Sequence, residues 1–242
     1  VHAFSPALDT DLNAMRRVLE VNTIAPLAVT QAFAPLLIKT GSLATEPTTA
    51  PAKARAKPLP PPPAVVLNIG SAAVAGVPFM GVYGASKAAL QTLSDTMRRE
   101  MAALGVRVVT LELGSVRTAM SSGDKTQDLA RTDRLWGFYP NIKAIRASVE
   151  RLMIATVDAA PTAEIVARQI VDAVASKNPP PKLWLGNPST LSRWVYPFLP
   201  IWVLDYLYDK YAGGNLVMHP TETPQHESAA EGALTGDSAA HN

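Results

Sequence analysis

Tyr83 and Lys87 stand four positions apart, which on a helix puts both side chains on one face about one turn apart. An unperturbed phenol, with a pKa of about 10, exchanges its proton poorly at neutral pH. An ammonium beside it stabilises the phenolate and lowers that pKa, so the pair is expected to work as a tuned acid/base. The spacing alone is cheap, because Tyr139/Lys143 and Tyr206/Lys210 repeat it and three of the six tyrosines therefore satisfy it. Context separates them. Ser71 lies twelve residues before Tyr83, directly after a buried-strand pattern, whereas Gln127 and Trp194 hold the matching places before Tyr139 and Tyr206. Catalytic groups of parallel sheets gather at the C-terminal ends of strands. Pro140, immediately after Tyr139, suits a turn more than a helix interior.

The surrounding elements follow from periodicity. Leu12, Met15, Val18, Leu19 and Val21 recur at helical intervals and predict a helix over 9–37, with Asp9, Thr10 or Asp11 as its cap. Asn22 falls inside that pattern, and Pro26 is expected to kink the helix just after it. Residues 40–63 carry seven prolines and almost nothing large and apolar, so they are read as a flexible insert. Residues 64–69 (AVVLNI) and 106–113 (VRVVTLEL) read as buried strands stopped by Gly70 and Gly114. Between them, 81–104 reads as a long helix with Ala85, Ala88, Ala89, Leu93, Met97 and Met101 as its apolar stripe. An amphipathic helix over 162–176 and a third strand over 181–185 complete an alternation that predicts an α/β fold with a parallel sheet. The polar tail, 218–242, is expected to be disordered.

Composition excludes several classes of function. The chain has 242 residues, 48% hydrophobic and 17% charged, with a net charge of +2, enough for one domain with a sizeable core. Without clustered basic residues, a nucleic-acid footprint is not expected. The absence of cysteine removes disulfides, thiolate metal sites and cysteine nucleophiles. His2, His219, His226 and His241 lie towards the ends, so no metal site is expected. The apolar run near 195–204 is short and broken by Pro197 and Pro200, which argues against a membrane span but not against contact with a membrane surface.

Residues 68–90 (NIGSAAVAGVPFMGVYGASKAAL) resemble the active-site segment of short-chain dehydrogenases/reductases, which place a serine after the fifth strand and Tyr-x-x-x-Lys on the next helix. The resemblance implies that Tyr83 is the catalytic acid/base. Ser71 would orient and polarise a substrate carbonyl, and Lys87 would lower the tyrosine pKa and hold the nicotinamide ribose. Residues 21–26 (VNTIAP) resemble the family's asparagine segment, so Asn22 would hold the water of a proton relay to Lys87. Residues 113–118 (LGSVRT) resemble the family's Pro-Gly-x-Val-x-Thr with the proline replaced. Val116 and Thr118 are thereby expected to touch the cofactor along with Tyr83 and Lys87. The family's Gly-rich turn and Asn-Asn-Ala-Gly segment find no counterpart, so the chain is expected to correspond to the C-terminal portion of a doubly wound, Rossmann-like sheet with helices on both faces, over 1–217.

Among family members, the serine motif, residues 94–108 and the aromatic segment 181–211 are most similar to fungal NADPH-dependent 1-acyldihydroxyacetone-phosphate reductases. That likeness implies NADP as cofactor, with NAD as the alternative, and a small carbonyl or lipid substrate. It also implies reduction of 1-acyldihydroxyacetone phosphate to lysophosphatidate, a homodimer as one form of assembly, and peripheral contact with endoplasmic-reticulum or lipid-droplet membranes on the cytoplasmic side. A cytoplasmic enzyme is the alternative location. Steroid- and retinol-type dehydrogenases share much of the pattern, and a non-catalytic remnant acting through protein contacts is a further reading. The segment 189–211 is expected to cover the substrate pocket, to anchor at a membrane surface, or both.

Overall fold

The computed structural model describes residues 5–45, 64–118, 147, 150–151, 154, 156–187 and 198–211. Asp11 opens α1 (Leu12–Leu19), its carboxylate accepting the Asn13 and Ala14 amides at 3.0 and 3.2 Å, which satisfies N–H groups that a helix start leaves without partners. The chain then widens into one π-helical turn, Glu20–Ile24, before α2 (Ala25–Thr45). Pro26 explains that position: it has no N–H to give to the carbonyl of Asn22, and the ladder is reset there. The expected kink is thus a bulge placed at Asn22.

α2 runs to Thr45, past the boundary expected for the insert at residue 40, and residues 46–63 lie outside those described. The reason is tertiary. A Cβ at Gly41 would lie 2.6 Å from the Leu104 carbonyl and 2.7 Å from that of Gly105. Gly41 therefore lets the last turns of α2 press backbone to backbone against the turn before β2. Pro35 is carried within α2.

Three parallel strands, β1 (Ala64–Ile69), β2 (Val106–Leu113) and β3 (Lys182–Leu185), form a sheet in the order β1-β2-β3. Ala64 pairs with Val106 and Ile69 with Leu111, and Thr110 pairs with Lys182 and Leu113 with Leu185. α3 (Gly81–Ala102) crosses from β1 to β2, and α4 (Ala163–Val174), capped by Thr162, precedes β3. α5 (Ile201–Tyr211) follows. The α/β architecture expected from the alternation of patterns is the one observed.

One face of the sheet is closed by α2 and α3: Ala64, Val106 and Val108 pack with Met97 and Met101, flanked by Leu27, Leu37, Ile38 and Leu93. The opposite side chains of β2, Val109 and Leu111, are also buried. By length and composition Leu12–Ser42 would be long and apolar enough to cross a bilayer, but its Leu27, Leu37 and Ile38 face the sheet. Among the described residues β1 is an outer strand. A cleft of about 560 Å³ runs between its edge and α2, lined by Phe33, Val65, Leu67 and Leu90, with Asn22 and Lys87 in its wall.

Candidate active site

The site forms where β1 ends and α3 begins. Ser71 follows the strand directly, with extended backbone, and its hydroxyl accepts the Ala73 amide at 3.2 Å, capping a short 3-10 turn, Ala72–Ala75. Two residues with positive φ shape the return: Gly76 at 80° and Phe79 at 63°. Glycine tolerates this region, whereas a phenylalanine there carries strain of about 1–2 kcal/mol. The Phe79 carbonyl accepts the Ser5 amide at 3.0 Å, one of the contacts that hold the turn. Because α3 starts two residues later, this turn fixes the rotational setting of Tyr83.

Tyr83 is half-buried and meets Ser71 across the turn. Burial pushes its phenol above the usual range, and the hydrogen-bonding influence of Ser71 opposes the rise. This reverses the expectation that Lys87 pulls the phenol down. The Lys87 ammonium lies 5.8 Å from the Tyr83 ring centre and donates instead to the Ile69 carbonyl at 2.8 Å, so loss of solvation decides the direction. Lys87 is itself shifted downward by burial, with the charge of Glu112 opposing. In this arrangement Tyr83 is a neutral phenol, the form that can give up a proton.

Asn22 is buried in the π-helical turn, and its side-chain amide donates to the Ser86 hydroxyl at 3.1 Å. Ser86, fully buried, donates in turn to the Tyr83 carbonyl at 2.7 Å. The Thr23 hydroxyl donates to the Ser86 carbonyl at 2.9 Å. Asn22 is thereby brought within one side chain of the Tyr83 backbone across more than sixty residues of sequence. Ser86 and Thr23 do not stand out in the sequence. Their one signal is position, Ser86 about one turn after Tyr83 on α3 and Thr23 beside Asn22.

Val116 and Thr118 follow the C-terminal end of β2, on the same end of the sheet as Ser71 because the strands are parallel. Their segment is held by the Ser115 amide on the Asn187 carbonyl at 2.7 Å and the Arg117 amide on the Pro161 carbonyl at 2.9 Å. A Cβ at Gly114 would sit 2.7 Å from the Asn187 carbonyl, so glycine is required there by close approach of the next strand's exit. Tyr139 and Lys143 fall outside the described residues. Tyr206 and Lys210 lie on α5 with the tyrosine 58% exposed.

The donor set fits the nicotinamide-ribose end of a dinucleotide: a hydroxyl and an ammonium on one helix face, with a second hydroxyl opposite. No strand–glycine-rich turn–helix cradle for a pyrophosphate occurs among the described residues. No group of three or more His, Asp or Glu suited to a metal occurs among them either.

Known proteins resemble this chain in sequence and in fold. The family model for short chain dehydrogenase matches residues 60–129, which contain Ser71, Tyr83 and Lys87. Short-chain dehydrogenase srdE of Neurospora crassa is 29% identical over 202 residues, covering 82% of this chain and 59% of the relative. Short-chain dehydrogenase cctT of Talaromyces islandicus is 30% identical over 215 residues, covering 87% of this chain and 65% of that protein. The chain thus spans about three fifths of the length of the curated relatives it matches. In fold it is similar to the crystal structure of a short-chain dehydrogenase from Streptomyces avermitilis, with a TM-score of 0.56 at 19% identity over 86% of this chain and 64% of the other. In sequence and in fold the chain is thus similar to the short-chain dehydrogenases/reductases.

Proposed function

We propose that this chain carries the catalytic segment of an NAD(P)H-dependent carbonyl reductase, able to run in reverse as an alcohol dehydrogenase. The observation that carries the reading is the meeting of Ser71, from the end of β1, with the neutral, half-buried Tyr83 phenol of α3. In the reduction Tyr83 gives its proton to the carbonyl oxygen, and Ser71 orients that oxygen by hydrogen bonding. Lys87, one turn along, places a positive charge where the phenolate forms. Asn22, tied to the Tyr83 backbone through Ser86, holds the water through which the proton is replaced. Tyr83 and Lys87 would hold the nicotinamide ribose, with Val116 and Thr118 against the nicotinamide. When bound, that cofactor supplies the hydride. NADP is the proposed cofactor over NAD on the likeness to NADPH-dependent reductases.

The finer reading is reduction of 1-acyldihydroxyacetone phosphate to lysophosphatidate, supported by the serine motif and the aromatic C-terminal segment. α5 adds to that support. Phe198, Ile201, Trp202 and Tyr206 are 79%, 76%, 69% and 58% exposed, an apolar, aromatic surface suited to the boundary of a bilayer that holds an acyl substrate. The proposed location is the cytoplasmic side of the endoplasmic reticulum or of lipid droplets. Trp194 and Tyr196 lie outside the described residues.

Two measurements test the reading. The full-length protein should oxidise NADPH in the presence of 1-acyldihydroxyacetone phosphate, and should do so faster than with steroid or retinoid carbonyls. Turnover of the steroids or retinoids alone would move it to the other branch of the family, and no turnover of any carbonyl would favour the non-catalytic reading. In liposome co-sedimentation, the intact protein should pellet and the Trp202→Ser/Leu207→Ser variant should stay largely in solution. Equal behaviour of the two would remove the membrane proposal.

A further inference from the structure

Glu112 is the one acidic residue in the three strands and is fully buried. Among the described residues neither of its carboxyl oxygens has a hydrogen-bond partner in normal geometry. Burying a carboxyl without partners is costly, so its surroundings must account for it. A Cβ at Gly70 would lie 2.8 Å from the Glu112 Oε2 and 3.0 Å from the Leu111 carbonyl oxygen. The carboxyl therefore fills the space that any side chain at position 70 would need, and glycine there is what admits it.

The neighbours of Gly70 belong to the site. The Ile69 carbonyl on one side accepts the Lys87 ammonium at 2.8 Å, and Ser71 on the other meets Tyr83. Three elements contribute polar or charged groups that act on the carboxyl: Lys182 from β3, the Ser71 amide from the end of β1, and Asp95 and Lys87 from α3. Burial raises the Glu112 pKa, and Lys182, the Ser71 amide and Lys87 oppose the rise while Asp95 adds to it. Lys182 is already paired with Asp95 at 3.1 Å. Lys87 makes no ion pair of its own among the described residues.

We propose that Glu112 is a positioning residue of the Tyr83–Lys87 pair, its carboxylate beneath Gly70 keeping Lys87 protonated and seated on the Ile69 carbonyl. Burial favours the neutral amine at Lys87, and a neutral amine could not stabilise the phenolate left when Tyr83 gives up its proton. The negative charge behind the strand end counters that tendency. Each charge favours the other: Glu112 opposes the downward shift of Lys87, and Lys87 opposes the upward shift of Glu112. The lysine thus stands between two acids, the Tyr83 phenol on the substrate side and the Glu112 carboxyl on the sheet side. The effect on turnover rests on the reductase reading; the coupling of the two side chains does not.

The test is nuclear magnetic resonance titration of the full-length protein with isotope-labelled lysine, the Lys87 signal being assigned by its loss in Lys87→Met. In Glu112→Gln, which keeps the shape and removes the charge, Lys87 should titrate at lower pH than in the parent. The alkaline limb of the reductase rate should move to lower pH with it, and Glu112→Asp should restore part of both. An unmoved Lys87 titration in folded Glu112→Gln overturns the proposal, as does a moved rate limb without a moved lysine. If Glu112→Gln does not fold, the reciprocal measurement decides, because coupling acts equally on both partners. The Glu112 carboxyl should titrate at higher pH in Lys87→Met than in the parent, and an unchanged titration overturns the proposal. Both titrations are read without turnover, so an inactive parent enzyme would end the reductase reading and leave the Glu112–Lys87 coupling decided on its own.

Discussion

α3 and α5 each carry a tyrosine and a lysine one turn apart, and the two pairs are alike in their separation. The Lys87 ammonium is 5.8 Å from the Tyr83 ring centre and the Lys210 ammonium 5.9 Å from that of Tyr206. The separations agree because the helix itself sets them. What differs is everything that comes from elsewhere in the chain. Tyr83 faces Ser71 from β1, has Ser86 and Asn22 behind it, and loses enough solvent to shift its phenol. Tyr206 is 58% exposed on a helix that also turns Ile201 and Trp202 outward. Proximity along a helix is therefore common; chemistry needs a third group and the removal of water.

The largest effect that could break this comparison is at the phenols. Tyr83→Phe should lower turnover by roughly 10²–10⁴-fold with little change in stability, since only the proton donor is lost, whereas Tyr206→Phe should leave turnover unchanged. Steady-state kinetics of the two variants side by side would refute the distinction if their losses were alike.

Ser71→Ala comes next. Losing a hydrogen-bond donor to the reacting oxygen should cost on the order of 10² in kcat, and losing the cap on Ala72–Ala75 should cost about 1 kcal/mol of stability. Kinetics and urea denaturation separate the two. A stability loss with unchanged kcat would reduce Ser71 to a cap.

Ser86→Ala sharpens the comparison through the support behind Tyr83. It strips the Asn22 amide and the Tyr83 carbonyl of a shared partner inside the protein, which should cost about 1–3 kcal/mol in denaturant unfolding. A cost near zero would mean that the Asn22–Ser86–Tyr83 chain is incidental.

The smallest expected effect is a pH trend in stability. The Glu112 pKa is raised in the folded state, so the stability linked to it is fully present below the ordinary value of 4.5 and is lost as pH rises through the folded value. Glu112→Gln cannot ionise, so it should gain stability relative to the parent as pH goes from acid to neutral. Urea midpoints across that range would contradict this if the parent gained instead.

Much of the fold was legible because hydrophobic pattern and secondary structure share a period. The strand 64–69 is observed with its expected bounds, as is 106–113, and the helix expected over 81–104 runs 81–102. The end of α2 was not legible, because nothing local to residues 38–45 favours helix over loop as strongly as the backbone contact of Gly41 with Gly105 does. The site divides in the same way. Ser71, Tyr83 and Lys87 were marked by spacing around a strand end. Glu112 carried one signal, a lone acid in a mostly apolar strand.

The sequence by itself determined the elements and the spacing on α3, because helix and strand periods depend on residues a few positions apart. It also determined that Asn22 would lie at a break, since a proline four residues on removes a ladder hydrogen bond wherever it occurs. Only the tertiary structure decided which tyrosine loses its solvent, in which direction its proton affinity moves, and where the Lys87 ammonium points. Those depend on the Ile69 carbonyl, the Ser71 side chain and the Glu112 carboxyl, which the crossover from β1 through α3 to β2 brings together. Burial and charge act through space, and distances in space between separate elements are set by packing, not by position along the chain.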